Sequence, residues 1–271
     1  MKAALNHMTV PHLGYADFLN LASALGCVGV EVRNDIERPL FDGLPPAEAR
    51  AMAADIGIRL VGLSQVYPFN SWSDEIEAKV RALIATATAS GAETISLIPR
   101  NDGTGVANGE RQANLRISLK AIVPMLRDAG MTALVEPLGF WRSSLRSKAE
   151  LVEVIETLGA HDCLRIVHDT FHHALAGGGP IYPAQTGIVH ISAVVDPALG
   201  LAQMEDEHRV LIDPRDRLGN IEQIAELMAA GYDGPVSYEC FAPSVHRMVN
   251  PLDSLSASFE FIRGRLAARA A

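Results

Sequence analysis

The sequence predicts an α/β chain folded as a single-domain (β/α)8 TIM barrel over residues 1–271. Three observations carry this. Strand-like and helix-like segments alternate from Met1 onward in eight units of about 30 residues, the repeat of a barrel whose strands are covered by helices outside. No shift in composition marks a boundary between two domains. Four successive strands in the second half also end in an ionisable residue: Glu136, Asp169, His190 and Glu239. A doubly wound open sheet is the competing architecture. It lacks support, because no strand is followed by GxGxxG or by GxxxxGK[ST].

Taken in order, residues 2–6 read as the first strand. Residues 15–25 carry Phe18, Leu19, Ala22 and Leu25 at helical spacing and stop at Gly26, the usual residue after a helix end. GVEVR at 29–33 is the second strand. Pro45 and Pro46 open a helix that Gly57 closes, the expected proline-first, glycine-after order. Residues 60–64 form the third strand, Ser73 caps a helix through Ala89, and 93–98 form the fourth strand. A long helix over 109–129 contains Pro124, where a kink or break is expected.

The fifth strand, 132–136, is an apolar run ending in Glu136 and followed by Pro137 and Gly139. Such runs, bounded by turn residues, are strands buried on both faces, and a carboxylate at their rim is costly unless compensated. A helix over 148–158 leads to the sixth strand, which ends at Asp169. Gly177–Gly178–Gly179–Pro180 then makes the next crossover short or irregular. His190 closes the seventh strand. Residues 193–218 are the longest non-periodic stretch and read as a loop over the active face. Asn220 caps a helix to Ala230, 235–239 is the eighth strand, and a helix over about 251–268 ends the chain.

The formal net charge of -9, without a Lys/Arg cluster, argues against a nucleic-acid or anionic-membrane partner. No apolar run reaches the roughly 18 residues of a membrane span, and the N-terminus lacks the apolar core of a signal peptide. Cys27, Cys163 and Cys240 have no CxxC or disulfide-like spacing and read as buried free thiols in a reducing compartment. The expectation is a cytoplasmic protein acting on a small molecule, with a homo-oligomer left open.

In a barrel, the C-terminal ends of the strands converge on one mouth. Any one polar residue at a strand end is ordinary. Four at equivalent positions in successive strands are not, and three carboxylates with one imidazole suit one divalent ion: manganese, magnesium, cobalt or zinc. Near the same mouth, His172 and Arg209 are candidates for holding substrate oxygens. Asn6, Arg33 and Gln65, at or just beyond the first three strands, are suited to binding hydroxyls. His168 and His173 read as structural or exposed.

Several stretches resemble the xylose-isomerase-like TIM-barrel superfamily of sugar isomerases and epimerases: VEPLGF around Glu136, HDTFHH with Asp169 and His172, HISAVVD from His190, EDEHRVLIDPRD with Arg209, and GYDGPVSYECF with Glu239. The resemblance spans essentially the whole chain. Within the superfamily it is nearest the inosose (2-keto-myo-inositol) isomerases, which share the Glu31–Val32–Arg33 pattern, the DTFH segment and the C-terminal GYDGPVSYECF pattern. By resemblance, Glu136, Asp169, His190 and Glu239 are metal ligands, and Glu136 and Glu239 also shuttle a proton through an enediolate. His172 and Arg209 would then bind a polyol or ketose substrate. One departure stands out: where inosose isomerases have a glycine-rich turn, this chain has Ile212–Asp213–Pro214–Arg215–Asp216.

The resemblance implies inosose isomerisation in inositol catabolism. Inosose dehydratase, ketose 3-epimerase and hydroxypyruvate isomerase are alternatives with the same ligands, and a non-catalytic sugar-binding barrel is the alternative from another class. The zinc endonucleases of this fold use further histidines at strands three and four. Residues 60–66 and 93–100 contain none.

Overall fold

The computed structural model describes residues 1–270. Its strands are β1 Lys2–Asn6, β2 Gly29–Arg33, β3 Arg59–Val66, β4 Thr94–Leu97, β5 Thr132–Val135, β6 Leu164–Asp169, β7 Thr186–Ile191 and β8 Pro235–Tyr238. They pair in chain order, all parallel, and β1 pairs with β8 to close the ring, with Ala4 opposite Ser237 and Leu5 opposite Tyr238. Closure removes every sheet edge. Val61, Leu134, Val167 and Ile188 form one buried cluster from β3, β5, β6 and β7. The larger apolar cluster joins the strands to the helices.

The helices are α1 Tyr15–Ala24, α2 Pro46–Ile56, α3 Asp74–Ser90, α4 Glu110–Ala129, α5 Lys148–Thr157, α6 Thr170–Leu175, α7 Asn220–Ala229, α8 Pro243–His246 and α9 Pro251–Ala270. Ser73 Oγ accepts from Ile76 N, capping α3 as expected, and Gly57 ends α2 at φ 76°, a conformation open to glycine. The three cysteines are buried and unpaired.

Two sequence expectations need correction, a break at Pro124 and the cap of α7. Helix α4 runs unbroken through Pro124. The proline lies on the exposed face, where water can satisfy the carbonyl it frees, while Leu119, Ile122, Val123 and Leu126 hold the other face in the core. Asn220 does not cap α7 but is its first residue, and Gly219 precedes it at φ 69°. The Asn220 side chain instead donates to Ser192 O at 2.8 Å and accepts from Thr170 Oγ1 at 2.6 Å, tying α7 to the strand ends. Residues 193–218 form the expected loop over the mouth, which Asp206 and Arg209 line. The loop holds 3-10 turns at Leu201–Gln203 and Asp206–His208, and Ala193 bridges Val210 in antiparallel fashion.

Among the described residues, no helix is long and apolar enough to cross a membrane.

Candidate active site

Glu136 and Glu239 each stand one residue beyond their strands. Glu136 N donates to Leu97 O at 3.2 Å and Glu239 N to Ile191 O at 3.1 Å, so the backbone is still held by the neighbouring strand where each carboxylate leaves the sheet. Asp169 is the last residue of β6, and His190 lies one residue inside the end of β7. These four side chains are all buried, and each offers a ligand atom within 4.8 Å of the others.

Hydrogen bonds fix the set. His190 Nε2 meets Glu31 Oε2 at 3.0 Å, so Nε2 carries a proton that Glu31 accepts, and Nδ1 faces inward. There it lies 3.3 Å from Glu239 Oε2 and 3.6 Å from Glu136 Oε1. Neither His190 Nδ1 nor Glu136 Oε1 has a hydrogen-bond partner, although both are buried. A lone pair facing two carboxylate oxygens in a dry site is unfavourable unless positive charge lies between them. That arrangement fits a divalent cation held by nitrogen and oxygen donors.

Without an ion the same demand for positive charge between His190 Nδ1 and the carboxylates falls on protons. Burial, and then the nearby charge of Glu239, raises the Glu136 carboxyl above its ordinary range. Burial would also raise Glu239, but His190, Arg209 and Arg33 outweigh it and hold it well below that range. Burial would raise Asp169, but Arg209, His172 and His190 together outweigh it and lower the carboxyl; burial would lower His190, but Glu31, Glu239 and Glu136 together raise it well above an ordinary imidazole.

Arg209 is brought fully into the site. Its Nη2 donates to Asp169 Oδ2 at 2.5 Å and Glu239 Oε2 at 3.1 Å, its Nε donates to Ser192 Oγ at 2.9 Å, and the rings of Phe171 and Phe241 flank it. Arg33 Nη1 donates to Glu239 Oε1 at 2.5 Å while its other nitrogens grip Asp35. His172 starts its helix turn against Asp169, whose Oδ1 accepts from His172 N at 2.9 Å, and its Nδ1 is buried without a partner. Gln65 donates to Asp35 Oδ2 at 2.7 Å. Asn6 is placed against Glu239, with Nδ2 3.4 Å from Oε1, and not on the wall of the mouth.

The mouth is a cavity of about 650 Å³, counting its opening, walled by Arg33, Gln65, Glu136, His172, Arg209 and Glu239 together with aromatic and apolar groups. The divergent turn Ile212–Asp216 does not line it.

A family model described as xylose isomerase-like TIM barrel matches residues 19–265. The chain belongs to the xylose isomerase-like TIM barrel family. Its similarity to solved structures is of the same kind. A xylose isomerase domain-containing protein from Salmonella typhimurium LT2 superposes with a TM-score of 0.89 at 28% identity, over 98% of this chain and 97% of that one. The IolI protein with a bound zinc atom gives 0.86 at 16% identity, over 99% of each chain. D-psicose 3-epimerase with D-tagatose from Clostridium cellulolyticum H10 gives 0.74 at 17% identity, over 98% and 99%. No curated protein sequence matches the chain.

The sequence motifs gave no role in the site to Glu31, Asp35, Asp206 or Phe241. The signal for Glu31 was present: in GVEVR it shares the strand face of Arg33. Asp35, Asp206 and Phe241 lie in loops, where periodicity gives no direction.

Proposed function

We propose that this chain is a divalent-metal-dependent isomerase or epimerase of a ketose or inosose, with isomerisation of an inosose in inositol catabolism as the specific reaction. The observation that carries this is the convergence of Glu136, Asp169, His190 and Glu239, whose ligand atoms lie within 4.8 Å of one another beneath a polar mouth. The zinc atom bound by the IolI protein and the ketose epimerase among the structural neighbours support the reading.

Glu136, Asp169, His190 and Glu239 would hold the ion. When bound, it would act as a Lewis acid toward a substrate carbonyl and stabilise negative charge developing on its oxygen. The residues supply the rest. Glu136 and Glu239 come from strands five and eight, so one carboxylate removes the proton next to the carbonyl and the other returns it to the neighbouring carbon or the opposite face. Arg209 cannot swing away, because Asp169, Glu239, Ser192 and two rings fix it. It therefore presents a preorganised positive charge beside the reacting atoms. His172, Arg33 and Gln65 line the wall where hydroxyls of a polyol would sit, offering both donors and acceptors. The aromatic and apolar groups beside them exclude water and cover the carbon face.

Glu136→Gln and Glu239→Gln keep the shape of each side chain but remove the base. Deuterium incorporation from solvent into inososes and ketohexoses, followed by product analysis, should show exchange in the native chain without loss of water. Each variant should lose about 10²- to 10⁴-fold of that rate while keeping its fold. Near-native exchange in either variant would overturn the mechanism, and loss of water from the product would assign a dehydratase.

A further inference from the structure

Strand alternation sends Asp169 into the barrel and its neighbour His168 outward, toward the helix layer. Behind that wall, between α5 and α6, lies a second cavity of about 620 Å³, counting its opening. Arg146, Lys148, His172 and His173 line it, with Ser147 and Tyr182, and no Asp or Glu contributes to its wall. In a chain of net charge -9, a cavity walled by cations and imidazoles runs against the composition.

Lys148 is the centre of this cluster. It is 8% exposed, and its hydrogen-bond partners among the described residues are His168 Nδ1 at 2.8 Å and His173 Nδ1 at 2.9 Å. The direction of these bonds is determined. Gln223 Nε2 donates to the carbonyls of Thr170 and Leu218, so Gln223 Oε1 must accept from His168 Nε2. His168 Nδ1 is then a lone pair that accepts from Lys148, and one ammonium proton is left after both histidines are served. A buried ammonium whose partners are neutral imidazoles is under-compensated.

Two further donors face the same space. Arg146 lines it, lies over the Trp141 ring at 3.9 Å and donates to Gly139 O and Leu175 O, with no carboxylate partner among the described residues. Helix α5 starts there. Ser147 Oγ takes Glu150 N, which leaves the amides of Lys148 and Ala149 at the positive end of the helix for a ligand.

We propose that this cavity is a binding site for a small oxyanion, phosphate or carboxylate, held by Lys148, Arg146, His173 and the first amides of α5, and separate from the mouth. Burial pushes the Lys148 ammonium down to about 7, a shift that an anion in the cavity would reverse. His172 forms the wall between this cavity and the mouth, so the two sites are neighbours without being one space.

Calorimetric titration of the full chain with inorganic phosphate, and separately with acetate, tests this. One site per chain is expected. Lys148→Met should weaken it about tenfold and Arg146→Gln about threefold to tenfold, the loss of one charge-assisted bond each. Glu239→Gln at the mouth should leave the affinity within about twofold. Tighter phosphate than acetate assigns a phosphate ligand, and the reverse a carboxylate. If Lys148→Met fails to fold by circular dichroism, Arg146→Gln on the rim decides. Full affinity in the cavity variants, loss in Glu239→Gln, or no binding of either anion at tens of millimolar overturns the proposal.

Discussion

Glu31 shows how far a single buried side chain reaches. It is fully buried on β2, accepts from His190 Nε2 at 3.0 Å and from Ser237 Oγ at 2.6 Å, and so sets which nitrogen of His190 faces the carboxylates. Replacing one of its oxygens by an amide nitrogen weakens that grip without changing the shape. Glu31→Gln should therefore lower divalent-metal affinity about 10- to 100-fold, the usual cost of losing a carboxylate behind a histidine ligand. Competition against a chromogenic chelator measures it, and unchanged affinity would show that packing alone orients the imidazole. The strand face of Glu31 was legible from GVEVR, but its two partners come from β7 and β8. No local pattern could name them. The same limit hid what holds Arg209: its partners Asp169 and Glu239 stand at the ends of β6 and β8, far from it in sequence.

At the level of elements, the segment after β5 depends on Gly139. A Cβ there would lie 2.4 Å from the His172 carbonyl oxygen and 2.6 Å from Leu175 Cβ, so α6 must shift to admit any side chain. Because α6 carries His172 into the mouth, Gly139→Ala should lower kcat/KM about 10²-fold through misplacement, with a loss of about 1–3 kcal/mol in stability from overpacking. Steady-state kinetics beside a thermal melt separates the two. A kcat/KM within twofold of native would mean that this contact does not position the histidine. The sequence made the strand ending in Glu136 visible, along with the brevity of the crossover after Asp169, because apolar runs and glycine clusters are local signals. It misjudged Pro124, since the local cost of proline says nothing of the core contacts that keep the rest of α4 in place.

Across the whole molecule, the alternation of strand and helix was enough to foresee a closed ring, and closure is what brings residues 31, 136, 169, 190 and 239 together. Legibility of the candidate site followed from that topology: once strand ends share a mouth, polar residues at strand ends become one constellation. The anion cavity was not legible, because outward-facing positions such as His168 carry no signal of which helix they meet. The ring also makes the metal proposal a stability claim. Unfolding would scatter four donors drawn from strands five to eight, so an ion that binds them stabilises only the folded chain. At an ion concentration 100-fold above Kd the gain is about 2.7 kcal/mol. In a chain of this size that corresponds to roughly 5–10 °C in Tm. Chelator treatment should lower the melting temperature by that amount, and adding back zinc or manganese should restore it. The same additions to Glu136→Gln should give a smaller rise, because one donor oxygen has become an amide. A native melting temperature that ignores chelator and ion alike would remove the metal from the proposed site and leave Arg33 and Arg209 as the charges that balance its carboxylates.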